Sequence, residues 1–198
     1  MLPAVTFFDS YAALAKREQL IAIGDLAALI RKTHAPAKDR LPWLKLARFG
    51  DVKSDKGSLR HDLNVRAISG IEADYDGAEV SFDEAVEIAE KEGLQAIIYT
   101  SPSHTPEKPR WRILCPTSLE MSPEMRATLI GRVNGLYHGI FASESWTLSQ
   151  SYYYGSVNRS PHHRVEVIEG QTIDELDELD EIAIGKPAGT TGNANGAA

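Results

Sequence analysis

Three short stretches of the sequence carry side chains able to do chemistry, spaced so that they can act together. The first is Gly70-Ile71-Glu72-Ala73-Asp74-Tyr75-Asp76-Gly77. Successive side chains of a β-strand point to opposite faces, so Glu72, Asp74 and Asp76 share one face and Ile71, Ala73 and Tyr75 the other. Cα atoms two apart in a strand lie about 6.5–7 Å from each other. Asp74 and Asp76 can therefore converge on one divalent cation, or share two ions about 3.5–4 Å apart. Asp is a poor strand former, so the pair needs a reason; a strand ending at a solvated turn would also supply one. The second stretch is the proline-punctuated loop Ser101–Pro109, with Ser103, His104 and Lys108. The third is Arg110-Trp111-Arg112-Ile113-Leu114-Cys115. Here alternation sets Trp111, Ile113 and Cys115 on one face and Arg110 and Arg112 on the other. Guanidinium groups match phosphate oxygens geometrically as well as in charge.

These residues need elements to position them. Val5–Phe8 reads as a strand, and Gly24-Asp25 as the cap of a helix whose apolar face is Leu26, Leu29 and Ile30. Trp43–Phe49 reads as another strand, and Asp51–Asp62 as an ordered polar loop. After the acidic strand, Ser81 and Glu84 form a capping box. The helix they open buries Phe82, Ala85, Val86 and Ala89 and ends at Gly93. Ala96–Tyr99 is a buried strand, and Ser122-Pro123 opens a helix with the stripe Met125, Leu129, Val133 and Leu136. Tyr152–Tyr154 and Arg164–Ile168 are strand-like. The order from 67 to 168 predicts an α+β fold: a ferredoxin-like, RRM-like βαββαβ core behind an N-terminal α/β extension. In that arrangement the helices cover one sheet face, the other stays open, and the third strand lies beside the first. Asp74 and Asp76 then stand next to Arg110 and Arg112 on the open face. Carboxylates for metal beside guanidinium groups for phosphate are the inventory of nucleotidyl transfer.

The acidic strand, the Ser-Pro-Ser-His loop at 101–104 and Pro109-Arg110-Trp111-Arg112 resemble primase-polymerase domains of the archaeo-eukaryotic primase superfamily. The likeness runs over residues 40–170 and is strongest to forms encoded by phages, prophages and plasmids. It implies that Asp74 and Asp76 bind Mg²⁺ or Mn²⁺, two ions in all, and that His104 contacts the phosphates of an incoming nucleotide. Asp74, Asp76 and His104 would be the catalytic set, with Ser103, Lys108, Arg110 and Arg112 as further nucleotide-binding residues. The family's Ser-x-His has Pro102 in place of its serine here, flanked by Ser101 and Ser103. The family also supplies a later Asp, but this chain has none between Asp83 and Asp174. Glu144 is the nearest substitute as third metal ligand, and Glu72 a weaker one. The implied activity is that of a DNA primase-polymerase: metal-dependent transfer of nucleoside triphosphates onto a primer or starting nucleotide. Its partners would be a single-stranded or primed DNA template and a replicative helicase, fused downstream or separate. A phage- or plasmid-encoded chain in the cytoplasm of a bacterial host is the implied setting. Two alternatives stand beside it. A catalytically inactive primase-like DNA-binding module could load a replication helicase. A metal-dependent nuclease would use Asp-x-Asp but leave the Arg and His groups without a role. An RNA-recognition domain would carry aromatics where this chain has Arg110 and Arg112.

The bulk properties fit a soluble, intracellular globular protein: 198 residues, 42% apolar and 25% charged. The start lacks the pattern of a signal peptide, and no stretch approaches the roughly 20 apolar residues of a membrane span. One cysteine, Cys115, excludes an internal disulfide and a cysteine-rich metal cluster. The net charge of −7 argues against nucleic acid, but its distribution does not. Outside the acidic stretches 82–92 and 166–181 the balance is 15 acids against 20 Lys and Arg. Residues 38–66 hold eight basic and four acidic side chains, among them Lys53, Lys56 and Arg60, the expected DNA-binding residues. Tyr152, Tyr153, Tyr154 and Trp146 read either as core packing or as base-stacking groups, and Ser149-Gln150 as groups able to orient a template. His162 and His163, being adjacent, cannot present both rings to one strand face, so they read as surface. Residues 1–182 form the expected catalytic domain: extension 1–66, core 67–168, acidic helix 170–182 carrying Ile173, Leu176 and Leu179. Residues 183–198 are Gly-, Ala-, Thr- and Asn-rich and read as a flexible linker or tail.

Overall fold

The computed structural model describes residues 2–186. The chain begins with β1 (Ala4–Phe8), β2 (Arg17–Leu20), α1 (Ile23–Lys32), β3 (His34–Ala35), β4 (Trp43–Lys45) and β5 (Ala47–Phe49). It continues with β6 (Val65–Tyr75), α2 (Phe82–Glu92), β7 (Ala96–Thr100), β8 (Trp111–Met121) and α3 (Arg126–Leu136). β9 (Tyr152–Tyr153), β10 (Ser156–Val157) and β11 (Val165–Ile168) complete the strands.

Five strands make the main sheet in the order β11-β7-β8-β6-β5. β8 runs antiparallel to both β6 and β7, so the predicted insertion of the third core strand between the first two is present. The edge departs from the ferredoxin-like order. That order would set β11 beside β6, whereas β11 pairs with β7, Val165 opposite Tyr99 and Ile168 opposite Ala96. The β6 edge is taken by β5, Ala47 opposite Ile68. A partner only a loop away closes with less entropy loss than one a hundred residues on, a difference of about 1.5 kcal/mol because the cost grows only logarithmically. The predicted strand over 43–49 is accordingly two strands in two sheets, parted at Leu46.

The second departure concerns the open face. Ile71, Ala73, Tyr75, Ile98, Trp111, Ile113 and Cys115 pack under α2 and α3, as their alternation predicts. The opposite face is covered too. A four-stranded sheet, β2-β1-β4-β9, and α1 bring Val5, Phe7, Leu26, Ile30 and Leu44 onto Ile97, Tyr99 and Leu114. β10 pairs parallel with β3 and ties the late chain to the early one. Gly70 marks the crossing: a Cβ there would meet the Cys115 carbonyl oxygen and Leu46 Cδ1, each at 2.5 Å.

Local signals mostly hold. Ser81 Oγ accepts from the Glu84 amide at 3.1 Å, and Gly93 closes α2 at φ +68°. α1 has no side-chain cap; Asp25 lies inside its first turn. The acidic helix predicted over 170–182 is only a 3₁₀ turn, Asp177–Ile182. Ile173, Leu176 and Leu179 are nevertheless buried, the first two before the 3₁₀ segment and the third within it. Asp177 and Asp180 both hold Arg132 of α3. The predicted tail begins docked: Ile184 N donates to Gly131 O at 3.0 Å. Its remainder, 187–198, lies outside the described residues. Among the described residues no helix is long and apolar enough to cross a membrane.

Candidate active site

β6 and β8 are in register with Asp74 directly opposite Arg112, so both side chains leave the same sheet face. They meet at 2.5 Å, Arg112 Nε donating to Asp74 Oδ1, and each residue is only 4% exposed. Arg112 Nη1 donates to Tyr153 O at 2.7 Å. The guanidinium carbon lies 4.2 Å from the Tyr153 ring centre and 4.9 Å from that of Tyr152. Arg112 is therefore a buried clamp on Asp74 rather than an outward-facing phosphate hook. Burial draws its pKa down, but the Asp74 carboxylate, together with Tyr99 and Tyr153, outweighs this and holds it above the ordinary arginine value. Burial raises the pKa of Asp74, Arg112 opposes the rise, and the charges of Asp76 and Glu144 add to it.

Asp76 lies one residue past the end of β6 and is exposed. Its Oδ1 is 3.8 Å from Nε of Arg110. The predicted carboxylate–guanidinium pairing thus has two tiers, a buried inner pair and a solvated outer one.

Glu144 sits in the 3₁₀ turn Ser143–Trp146, exposed, and the turn is stitched to the end of β6. Ala142 N donates to Asp74 O at 3.0 Å, and Asp74 N donates to Ser145 Oγ at 3.0 Å. Ser145 Oγ also hydrogen-bonds Tyr152 Oη at 3.0 Å, while Arg126 Nη2 donates to Ser145 O at 2.7 Å. Glu144 is thereby brought to the carboxylate side of the sheet, close enough for its charge to act on Asp74. Among the described residues no three His, Cys, Asp or Glu side chains converge as a ready metal cage. The oxygen donors present still fit a hard divalent cation of the Mg²⁺ kind, which takes one or two carboxylates and leaves other positions to water and substrate phosphates.

Glu72 does not belong to this set. It is fully buried, takes Lys45 Nζ at 2.5 Å and Arg126 Nη1 at 3.1 Å, and accepts from Leu46 N at 2.6 Å. It is the anion of a buried triad joining both sheets to α3. Burial, then the nearby Arg126 charge, pull the Lys45 pKa down to about 8 against the attraction of Glu72.

His104 is held by its neighbours. Its Nδ1 accepts from the Arg110 amide at 3.1 Å, so the neutral ring carries its proton on Nε2. It borders a cavity of about 320 Å³ with Phe82, Pro109, His162 and Arg164 among the lining residues. Arg164 stacks 4.4 Å from the Phe82 ring centre and pairs with Asp83 at 2.7 Å. Burial lowers the His104 pKa, and the nearby His162 and Arg164 charges lower it further. His162 and Arg164 border this cavity although neither is among the residues expected at the site. His162 is on the surface as expected, but in the turn before β11, where the alternation argument does not apply. Pairing of β11 with β7 brings that turn to the end of the sheet from which the His104 loop leaves.

Ser103 and Lys108 are exposed on that loop, and Lys53 and Lys56 on the 51–62 loop. Arg60 is half-buried, its guanidinium carbon 4.8 Å from the ring centres of both Tyr11 and Trp43. Tyr152 and Tyr154 are buried, while Tyr153 is half-exposed.

No protein-family model and no curated protein matches the chain. Among solved structures it is similar to the AEP domain of the cyanophage S-2L primase-polymerase (PrimPol). That likeness has a TM-score of 0.49 and 8% sequence identity, over 92% of this chain and 89% of that one.

Proposed function

We propose that this chain is a primase-polymerase: a nucleotidyltransferase joining nucleoside triphosphates to a primer or starting nucleotide on a DNA template. The observation that carries the reading is that the end of the sheet bearing Asp74 and Asp76, with the Glu144 turn stitched to it, is also the end from which the His104 loop leaves, beside a cavity bordered by His104, His162 and Arg164. In that chemistry a divalent ion supplies charge neutralisation and activation of the attacking hydroxyl. Asp76, solvated and only loosely paired, is the open ligand. Asp74 is the oriented one, fixed by Arg112 on one side and by Ser145 through its amide. The triphosphate lies along Arg110 and the cavity, where His104 Nε2–H donates to a phosphate oxygen and Arg164 and His162 add positive charge. The contribution of these groups is positioning and electrostatic, with no protein nucleophile.

The test is incorporation of labelled nucleotide on a single-stranded template with Mn²⁺ or Mg²⁺. Asp76→Ala, at an exposed position, should fold normally and lose incorporation. Full incorporation by the folded variant would end the reading. A second reading, an inactive DNA-binding module, is favoured by two observations: Arg112 already occupies Asp74, and among the described residues no three acids converge. Template binding without incorporation under any metal condition would select it.

A further inference from the structure

The turn after β1 and the polar loop before β6 meet in an aromatic arrangement that the transfer chemistry does not use. Tyr11 is 71% exposed, an unusual position for a large aromatic side chain that is also well fixed. Its ring lies edge-on to Trp43 at 5.7 Å, and Trp43 edge-on to Tyr153 at 5.2 Å. Arg60 covers Tyr11 and Trp43 together, and Lys38 Nζ stands 4.9 Å from the Tyr153 ring centre. The Tyr153 ring also lies against Arg112, the clamp on Asp74. A line of aromatic rings and cations thus runs from solvent to the carboxylate site.

The line is held in place at a conformational cost. Ala13, fully buried, has φ +49°, a region that non-glycine residues rarely occupy. Its carbonyl accepts from Leu59 N at 2.9 Å, and Arg60 Nη2 donates to Tyr11 O at 3.0 Å. Two cavities flank Tyr11. One of about 380 Å³ is bordered by Lys56 and Arg60, and one of about 200 Å³ by Trp43, Arg60 and Gln150. A packing role alone does not account for a ring that leaves most of its surface in water beside two hollows.

We propose that Tyr11, Trp43 and Arg60, with Lys56 and Lys38, form a shelf for single-stranded DNA, whose bases stack on the rings while its phosphates meet the cations. Aromatic faces serve unstacked bases, and cations along them serve any sequence. A duplex keeps its base faces covered, so the occupant is a single strand. Apart from Tyr11, the surface is drawn from the basic stretch 38–66 of an otherwise acidic chain, which gives the charge complementarity. The proposal rests on the nucleotidyl-transfer reading only for where the strand leads.

The test is fluorescence anisotropy of a short labelled oligothymidylate, with EDTA present and no nucleotide, so that binding is read apart from transfer. Tyr11→Ala, at an exposed side chain, should weaken binding about 5- to 100-fold, and Tyr11→Phe should restore it. Lys56→Gln should flatten the slope of log affinity against log salt by about 0.7. Unchanged affinity in Tyr11→Ala, or duplex DNA competing as well as the single strand, would overturn the shelf. Tighter binding of oligouridylate than of oligothymidylate would overturn the choice of DNA. Tyr11-dependent binding by a wild-type protein that incorporates nothing would uphold the shelf and reject transfer. Incorporation that is indifferent to Tyr11→Ala, with binding also unchanged, would do the reverse.

Discussion

Arg112 is a buried cation held between Asp74 and the rings of Tyr152 and Tyr153. Its strand alternation and its position beside Asp74 follow from sequence, but its burial does not, because that depends on tyrosines some 40 residues later in the chain. Arg112→Met should cost about 3–5 kcal/mol of stability, the usual result of leaving a buried charge without its partner. The loss should shrink as pH falls. Without Arg112 the folded-state pKa of Asp74 stands further above its unfolded value, so its penalty grows as pH rises through that value and vanishes in acid. Denaturant melts at pH 7 and pH 5 measure both effects, and equal losses at the two pH values would contradict the mechanism. His104 gives a second prediction. Its pKa lies below the ordinary histidine value in the free protein, and a bound phosphate favours the protonated ring at the expense of the bond that Nδ1 accepts from the Arg110 amide. Binding then takes up a proton, so triphosphate affinity should rise as pH falls from 7.5 to 6. His104→Gln should remove that part of the slope, leaving only the nucleotide's own titration. Calorimetry in buffers of different ionisation enthalpy measures the uptake directly.

At the level of elements, the turn Ser143–Trp146 does the most with the fewest residues. Ser145 alone joins the Asp74 amide, the Tyr152 hydroxyl and, through its carbonyl, Arg126. Ser145→Ala strands a buried amide and should cost about 1–3 kcal/mol. Activity should fall further than stability does, because Asp74 and Glu144 are both positioned through this turn. Comparison of chemical melts with incorporation rates would show whether the two losses part. Elements with local signals were legible in advance: Ser81 and Glu84 announce α2, and Gly93 ends it. Elements defined by distant partners were not. Trp43–Phe49 has the composition of one strand, and only the competing sheets divide it at Leu46. Ile173, Leu176 and Leu179 are spaced by three, which an α-helical face tolerates, and spacing alone does not distinguish a helix from the turn and short 3₁₀ segment present.

At the level of the whole molecule, the N-terminal residues are part of the sheet's own packing. They supply its β5 edge and cover its second face, where Lys45 and Leu46 both contact Glu72. The βαββαβ order could be read from alternation and caps, yet sequence order alone could not say that a second layer would close the open face. A fragment spanning 67–168 would expose Ile97, Tyr99 and Leu114 and leave Glu72 without Lys45. It should fail to unfold cooperatively and should bind hydrophobic dyes, whereas residues 1–186 should give one sharp transition. A sharp calorimetric transition in the fragment would show that the core stands alone.

The register that sets Trp43 opposite Tyr153 has a consequence in time. The two strands are made 110 residues apart, so at ordinary elongation rates about 5–20 s pass on the ribosome between them. Throughout that interval the β4 edge has no β9 to pair with, and its hydrogen-bonding groups can template a wrong strand. A strand made long after its partners therefore closes the first sheet, and the tyrosine that lies over Arg112 arrives with it. A nascent chain paused before residue 152 would carry every acidic residue of the site and still lack its cover. The site comes into being late, as a product of closure, and slow translation lengthens the period in which the early strands are most prone to aggregate.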